Sequence, residues 1–213
     1  MRFDKLKIHL SVNQNLMGKD KLQFNSKTIH GGQHPDKGYG AVMPPVYLTS
    51  TYAQTTPGGH QGYEYSRTHN PTRTALEASL ASIEDGSHGF CFGSGMAAID
   101  AVVKLLSPGD EVISTNDLYG GSYRIFTKIF ADFGIKFHFV DMQNPANVSE
   151  KITANTKLIW VETPTNPMMN VVDIEAMRKL SADQGILLAV DNTFASPYLQ
   201  QPLTMGADIV MHS

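Results

Sequence analysis

Residues 157–192 read KLIWVETPTNPMMNVVDIEAMRKLSADQGILLAVDN, and the apolar pattern of this segment indicates the fold class. It begins with KLIWVE, a nearly continuous apolar run of the kind found in strands that are buried on both faces. The segment VDIEAMRKLSADQG then predicts a helix that Asp173 opens as its N-terminal cap. ILLAVDN predicts a second buried strand by the same criterion. A strand, a helix and a strand in this order indicate one unit of a parallel sheet.

The same alternation continues on both sides of this unit. Further strands are predicted at HGFCF, EVIST, IKFHFVD and DIVMHS, and further helices at NPTRTALEASLASIEDG, SGMAAIDAVVKLLSPGD, SYRIFTKIFADFG and NPANVSEKI. In the first of these helices, Leu76, Leu80 and Ile83 form one apolar stripe, and Gly86 provides a stop signal. The whole pattern predicts an α/β fold, with a mostly parallel sheet and helices on both of its faces.

The pattern also divides the chain into three regions. Residues 1–23 are polar and have no clear period, which predicts a mobile extension, with a short helix as the alternative. Residues 24–70 are rich in Gly, Pro, Thr and Tyr and carry little core pattern, so we expect an extended N-terminal arm. The α/β pattern fills residues 71–213.

Composition argues against several classes of protein. The 213 residues carry a formal net charge of −3 and have no Lys/Arg block, which argues against a nucleic-acid partner. The single cysteine, Cys91, cannot form an internal disulfide. His30 and His34 are four residues apart but flank the sequence GGQ, where no stable helix would align them, so no metal site is predicted. No apolar run reaches the length of a membrane span, and the N-terminus lacks the apolar core of a signal peptide. We therefore expect a soluble cytoplasmic protein.

Polar residues follow the predicted strands at their carboxyl ends. These residues are Asn116, Asp117, Glu162, Asp191, His212 and Ser213. In an open parallel sheet, the carboxyl ends of the strands form the edge at which ligands bind. Each residue alone is explained better as the point where a strand leaves the core, but the set together predicts a ligand site.

The segment FGSGMAA joins a predicted strand to a predicted helix through Gly93, Ser94 and Gly95. Small residues allow the backbone to approach an anion, and the free N–H groups at the start of a helix attract a phosphate. The segment also fits the G-x-G-x-x-A pattern of dinucleotide-binding folds, with Asp117 at about the 20-residue distance that this pattern expects for a ribose-binding acid. A nicotinamide-dependent dehydrogenase is therefore one alternative.

Asp191 favours a different cofactor. A carboxylate at the end of an apolar strand is costly to bury unless a cation lies beside it. A protonated pyridine nitrogen is such a cation, and pyridoxal phosphate needs this charge to act as an electron sink. The alternative is a local role, because DNTF, residues 191–194, also has the pattern of an N-terminal cap of the next turn.

Three further side chains are candidates for cofactor contacts. Tyr119 stands before two glycines in DLYGGSYR, where its ring is able to stack on a flat cofactor and its hydroxyl to exchange a proton. Tyr65 and Arg67 are two residues apart in the extended segment YEYSRTHNPTR, which places them on one side, as a phosphate clamp requires. Each feature by itself is also compatible with an ordinary loop residue or surface pair.

This sequence resembles the Cys/Met-metabolism enzymes that use pyridoxal phosphate in five segments: YEYSRTHNPTR, GSGMAA, DLYGGSYRIF, VETPTNPMMNVVDI and AVDNTFASPYLQQPLTMGADIVMHS. The resemblance runs from about Phe24 to Ser213. It implies fold type I, the aspartate aminotransferase-like fold, with residues 71–213 as the N-terminal part of the cofactor-binding large domain. The rest of that domain and the C-terminal domain are expected to be absent. The arm at residues 24–70 is implied to be an intersubunit element of a homotetramer built from dimers.

The resemblance implies how the cofactor phosphate is held. Gly95 and Met96 would donate their backbone N–H groups to it, and Ser94 lies at the same turn. Ser213 would add its hydroxyl. Two residues of the arm would reach the phosphate of a neighbouring subunit, namely Tyr65 and Arg67.

The resemblance also implies which residues contact the cofactor ring. Asp191 would pair with the pyridine nitrogen, while Thr193 and Asn166 would line the ring. Tyr119 would stack on the ring and transfer a proton, so that Tyr119 and Asp191 are the two expected catalytic residues. Glu162 is expected to have a weaker, indirect role.

The implied activity is that of a cystathionine γ-lyase, which converts cystathionine into cysteine, 2-oxobutanoate and ammonia. The alternatives are γ-replacement on an activated homoserine, as in a cystathionine γ-synthase, and a methionine γ-lyase, which usually has a cysteine where Gly121 stands. The lysine that binds the cofactor covalently is expected three positions beyond Ser213. A chain of these 213 residues alone is therefore expected to be inactive, and a non-catalytic fragment is the alternative of another class.

Overall fold

The computed structural model describes residues 22–182 and 184–213. Its core is a five-stranded sheet in which every pair is parallel and the spatial order is β2-β1-β3-β4-β5. The strands are β1 (Glu111–Thr115), β2 (Lys136–Val140), β3 (Thr156–Glu162), β4 (Leu187–Asp191) and β5 (Ile209–Met211). The predicted parallel sheet is confirmed. The predicted extension at residues 1–23 lies almost wholly outside the described residues.

Helices connect these strands. They are α1 (Phe24–His30), α2 (Pro71–Ile83), α3 (Gly95–Val103), α4 (Gly120–Ile125), α5 (Pro145–Ser149), α6 (Ile174–Ala182) and α7 (Ser196–Leu199). A π-helical turn, Phe126–Phe130, continues α4, and a 3-10 turn spans Pro202–Met205. Every predicted helix overlaps an observed one. Within the described ranges, no helix combines the length and the apolar character that crossing a membrane requires.

The sheet separates two apolar cores, because successive residues of a strand point to opposite faces. In β3, Ile159 and Val161 join one core together with residues of α6, whereas Leu158 and Trp160 join the other together with residues of α3. The Trp160 side chain is fully buried, and its ring meets the ring of Phe126 edge-on at 5.6 Å. Burial on both faces explains why KLIWVE is a continuous apolar run and not an alternating one.

The predicted strand HGFCF is wrong. Residues 88–92 form no strand, and Phe90 is 71% exposed. The N–H of Cys91 donates instead to Glu77 Oε1 of α2, at 3.0 Å. A strand requires backbone pairing with a neighbour, and none of the described strands pairs with this segment. The apolar composition of residues 88–92 therefore did not predict their backbone conformation.

The arm contains a helix that its composition did not predict. α1 has no buried residue and so lacks the apolar stripe from which a helix is recognised. The chain after α1 packs closely on α2, where a Cβ on Gly32 would lie 2.3 Å from the backbone of Ala78. Further along the arm, Thr51 and Tyr65 form an isolated antiparallel bridge. The arm is thus partly attached to the α/β unit of its own chain.

Candidate active site

The carboxyl ends of β3, β4 and β5 lie side by side at one edge of the sheet. The strand register pairs Glu162 with Asp191, and Asp191 with Met211. His212 and Ser213 follow β5 directly, so they continue from the neighbour of Asp191. The structure therefore brings together the polar strand ends that the sequence predicts as a ligand site.

Ser213 lies against the start of α3. A Cβ on Gly95 would be 2.4 Å from Ser213 Oγ, so this close approach requires glycine. Ser94 caps the helix, because its Oγ accepts the N–H of Ala97 at 3.2 Å. The first N–H groups of an α-helix have no carbonyl partner within the helix, and a hydroxyl beside them adds one more donor. Together these groups form a cradle that fits a phosphate.

A chain of hydrogen bonds joins Asp191 to this cradle. The Oδ1 atom of Asp191 accepts the Thr193 N–H at 3.1 Å and the Thr193 hydroxyl at 2.6 Å. The Thr193 Oγ1 atom in turn accepts the Ser213 N–H at 3.1 Å. Since Ser213 touches Gly95, the carboxylate and the phosphate cradle belong to one site. The structure brings Ser94, Gly95, Thr193, Asp191 and Ser213 together, and their contacts with a cofactor stay a prediction.

Asp191 has one oxygen available to a ligand. The carboxylate is buried, and both Thr193 bonds fall on Oδ1, while Oδ2 accepts no hydrogen bond from the described residues. Burial raises the pKa of Asp191, and the Thr193 bonds and the nearby His212 act in the opposite direction. Asp191 also has the local role that the sequence offered as the alternative, because its Oδ1 atom accepts the N–H of Thr193 in the turn before α7, which begins at Ser196. A cationic atom beside Oδ2 would offset the cost of burial.

Glu162 holds two loops of the site, an indirect role whose partners the sequence did not indicate. Its carboxylate accepts the Tyr119 N–H at 2.8 Å (Oε2) and the Asn166 N–H at 2.8 Å (Oε1). Burial raises the pKa of Glu162 to about 7, helped by the charges of Asp191 and Asp117 and opposed by the two N–H bonds. Tyr119 and Asn166, both predicted to contact the cofactor ring, are therefore fixed by one side chain.

The Tyr119 ring lies next to the first turn of α3. A Cβ on Gly121 would be 2.2 Å from Tyr119 Cε1 and 2.8 Å from Met96 Sδ, so both side chains converge on this glycine. The ring is 46% exposed and thus accessible to a ligand. Stacking on a planar cofactor is compatible with this position.

The dehydrogenase alternative requires a strand directly before the GSGMAA turn. The turn follows no strand, because HGFCF is not one. This difference argues against a dinucleotide fingerprint. Asp117 fixes the loop after β3, because its Oδ2 atom accepts the Thr165 hydroxyl and the Met168 N–H, the latter at 3.1 Å.

Tyr65 and Arg67 are not brought to this site within the chain. The Arg67 guanidinium lies over the Tyr65 ring, 4.7 Å from its centroid. In the described part of the chain, neither side chain forms a hydrogen bond with Ser94, Gly95 or Met96. Their predicted reach into a neighbouring subunit stays a prediction.

The substitution Gly95→Ala is expected to weaken binding of pyridoxal phosphate about tenfold. The new Cβ would lie 2.5 Å from Ser213 Cβ and would push Ser213 away from the start of α3. A fluorescence titration with the cofactor measures the effect. Gly120→Ala is the control, since a Cβ there would meet no atom within 4 Å, and we expect a change within about twofold. Equal losses in both variants would contradict the argument.

Comparisons with known proteins identify the family. Residues 25–213 match the family model of the Cys/Met metabolism PLP-dependent enzymes. A probable cystathionine gamma-synthase of Herpetosiphon aurantiacus is 50% identical over 190 residues, which are 89% of this chain and 60% of that protein. A cystathionine beta-lyase of Coxiella burnetii is 49% identical over 91% of this chain and 50% of its own. A cystathionine gamma-lyase of Bacillus subtilis is 53% identical over 87% of this chain and 49% of its own.

A solved structure supports the same assignment. The crystal structure of metB from Corynebacterium glutamicum matches with a TM-score of 0.90 and 46% identity, over 92% of this chain and 52% of that one. The chain thus spans between 49% and 60% of the length of the curated relatives it matches. The fold is of type I, and the cradle at Gly95 together with the available oxygen of Asp191 fits the phosphate and the ring nitrogen of pyridoxal phosphate. The chain belongs to the Cys/Met-metabolism enzymes that depend on pyridoxal phosphate.

Proposed function

We propose that the complete protein is a cystathionine γ-lyase, which converts cystathionine into cysteine, 2-oxobutanoate and ammonia. The continuous contact from Gly95 through Ser213 and Thr193 to Asp191 carries the cofactor part of this proposal. The 53% identity to the Bacillus subtilis γ-lyase supports the choice of reaction. Methionine γ-lyase is disfavoured, because Gly121 stands where that enzyme usually has a cysteine.

Each residue of the site has a task in this reaction. Pyridoxal phosphate, when bound, supplies the electron sink that accepts the charge left when the substrate loses its α-proton. Asp191 keeps the ring nitrogen protonated, and the start of α3 with Ser213 holds the phosphate. Tyr119 stacks on the ring and carries a proton on its phenol oxygen. Glu162 keeps Tyr119 in place through its backbone N–H.

The proposal includes a cytoplasmic homotetramer in which the arm reaches a neighbouring subunit. The Arg67 side chain is exposed and stacks on Tyr65, so a pre-arranged cation is available to an anion from another chain. Light scattering of the purified protein measures its subunit number. A monomer that binds the cofactor with full affinity would contradict this part of the proposal.

The products of cystathionine cleavage test the reaction itself. The complete natural protein, expressed from its own gene and loaded with the cofactor, is expected to release 2-oxobutanoate. Release of pyruvate instead would show β-elimination, the activity named for the Coxiella burnetii relative. Chromatography of the two keto acids separates these outcomes.

Cystathionine γ-synthase is the second candidate, supported by the 50% identity to the Herpetosiphon aurantiacus relative. Incubation with an activated homoserine and cysteine would then yield cystathionine faster than cystathionine is cleaved.

A further inference from the structure

A buried carboxylate, that of Glu84, contacts the residue that precedes Ser213. Glu84 follows the last residue of α2 and is 3% exposed. Its Oε1 atom bonds His212 Nε2 at 2.5 Å and Asn192 Nδ2 at 3.4 Å. Its Oε2 atom is buried and has no hydrogen-bond partner among the described residues. A buried carboxylate–histidine pair with one unsatisfied oxygen contributes little to the free energy of unfolding. A contribution to stability is therefore a poor explanation for the Glu84–His212 contact.

Both partners of Glu84 are chain neighbours of residues in the cofactor site. Asn192 stands between Asp191 and Thr193, and it is fully buried. His212 directly precedes Ser213. A single carboxylate oxygen therefore connects the end of β4 to the end of β5. The Asn192 N–H strengthens this connection by donating to the Met211 carbonyl at 2.9 Å.

Resting on the proposed use of pyridoxal phosphate by this site, we infer that Glu84 is a positioning residue for phosphate binding. It holds His212, and His212 fixes the chain so that the Ser213 hydroxyl stays against Gly95 at the start of α3. Glu84 forms no hydrogen bond with Ser213 or with the cradle among the described residues. Its effect therefore passes through His212 and falls on the phosphate end of the cofactor.

The test compares two ligands on the complete natural protein after removal of the cofactor. Pyridoxal phosphate and pyridoxal differ by the phosphate alone. The dissociation constant of pyridoxal divided by that of pyridoxal phosphate therefore measures how much the phosphate contributes to binding. Glu84→Ala is expected to reduce this ratio about tenfold, the worth of one hydrogen bond to a charged group, with little change for pyridoxal. Glu84→Gln keeps an acceptor oxygen for His212 and is expected to retain most of the ratio. An unchanged ratio in Glu84→Ala overturns the inference.

Glu111 provides a matched control at the amino end of β1, away from the carboxyl ends that form the site. It is also buried, and its Oε2 bonds His138 Nε2 at 2.9 Å. Glu111→Ala is expected to lower the melting temperature and to leave the ratio unchanged; a similar fall in both variants overturns the inference. If Glu84→Ala does not fold, His212→Ala carries the test, and an unchanged ratio there also overturns it. A wild-type ratio near one would instead contradict the phosphate cradle itself.

Discussion

The substitution Asp191→Asn is expected to lower the turnover of the complete enzyme by about 10²–10³-fold, as when one fixed electrostatic partner of a developing charge is removed. Asparagine keeps an oxygen for the two Thr193 bonds, so the local turn is expected to survive. The amide nitrogen, however, would replace the Oδ2 oxygen that we assign to the ring nitrogen. Without a negative partner this nitrogen loses its proton more easily, and the cofactor becomes a weaker electron sink.

Steady-state kinetics with the preferred substrate measure this effect, and circular dichroism checks the fold. Asp173→Asn is the matched control, because Asp173 also accepts a backbone N–H, from Ala176 at 2.9 Å, but lies at the start of α6. We expect the control to change turnover by less than about twofold. If Asp191→Asn keeps turnover within about tenfold of wild type, Asp191 does not serve the ring nitrogen.

The substitution Glu162→Gln is expected to stabilise the cofactor-free protein at pH 8 and to have little effect at pH 5. Burial raises the pKa of Glu162 from 4.5 to about 7 in the folded state. Between these values the folded state holds a proton that the unfolded chain has released, so the free energy of unfolding falls as the pH rises. At pH 8 the buried charge costs on the order of 2 kcal/mol, and a neutral amide avoids this cost.

Thermal unfolding at the two pH values measures the difference. One oxygen of Gln is sufficient for both loops, since Glu162 Oε1 already lies 3.1 Å from the Tyr119 N–H and 2.8 Å from the Asn166 N–H. Glu150→Gln is the control, because Glu150 is exposed at the end of α5. A melting-temperature gain from Glu162→Gln that is the same at both pH values would show that the charge of Glu162 is not its source.

Local patterns predicted the architecture because they report burial. The run LIWV in β3 is apolar throughout since both faces of this strand are covered, and the observed sheet confirms that reasoning. HGFCF has similar composition, yet Phe90 and Phe92 remain exposed. The difference lies in backbone pairing, which depends on a neighbouring strand and leaves no signal in the segment itself.

Strand order and register determine which distant residues contact one another in the site. The positions of Asp191 and Ser213 after apolar strands, and of Gly95 at the start of a helix, could be predicted, because each feature is encoded within a few residues. Two contacts could not be predicted: Glu162 accepts N–H groups from two loops, and Glu84 bonds His212, 128 residues away along the chain. Such contacts exist because parallel pairing sets β3, β4 and β5 side by side with their ends level, and only the folded backbone fixes that arrangement.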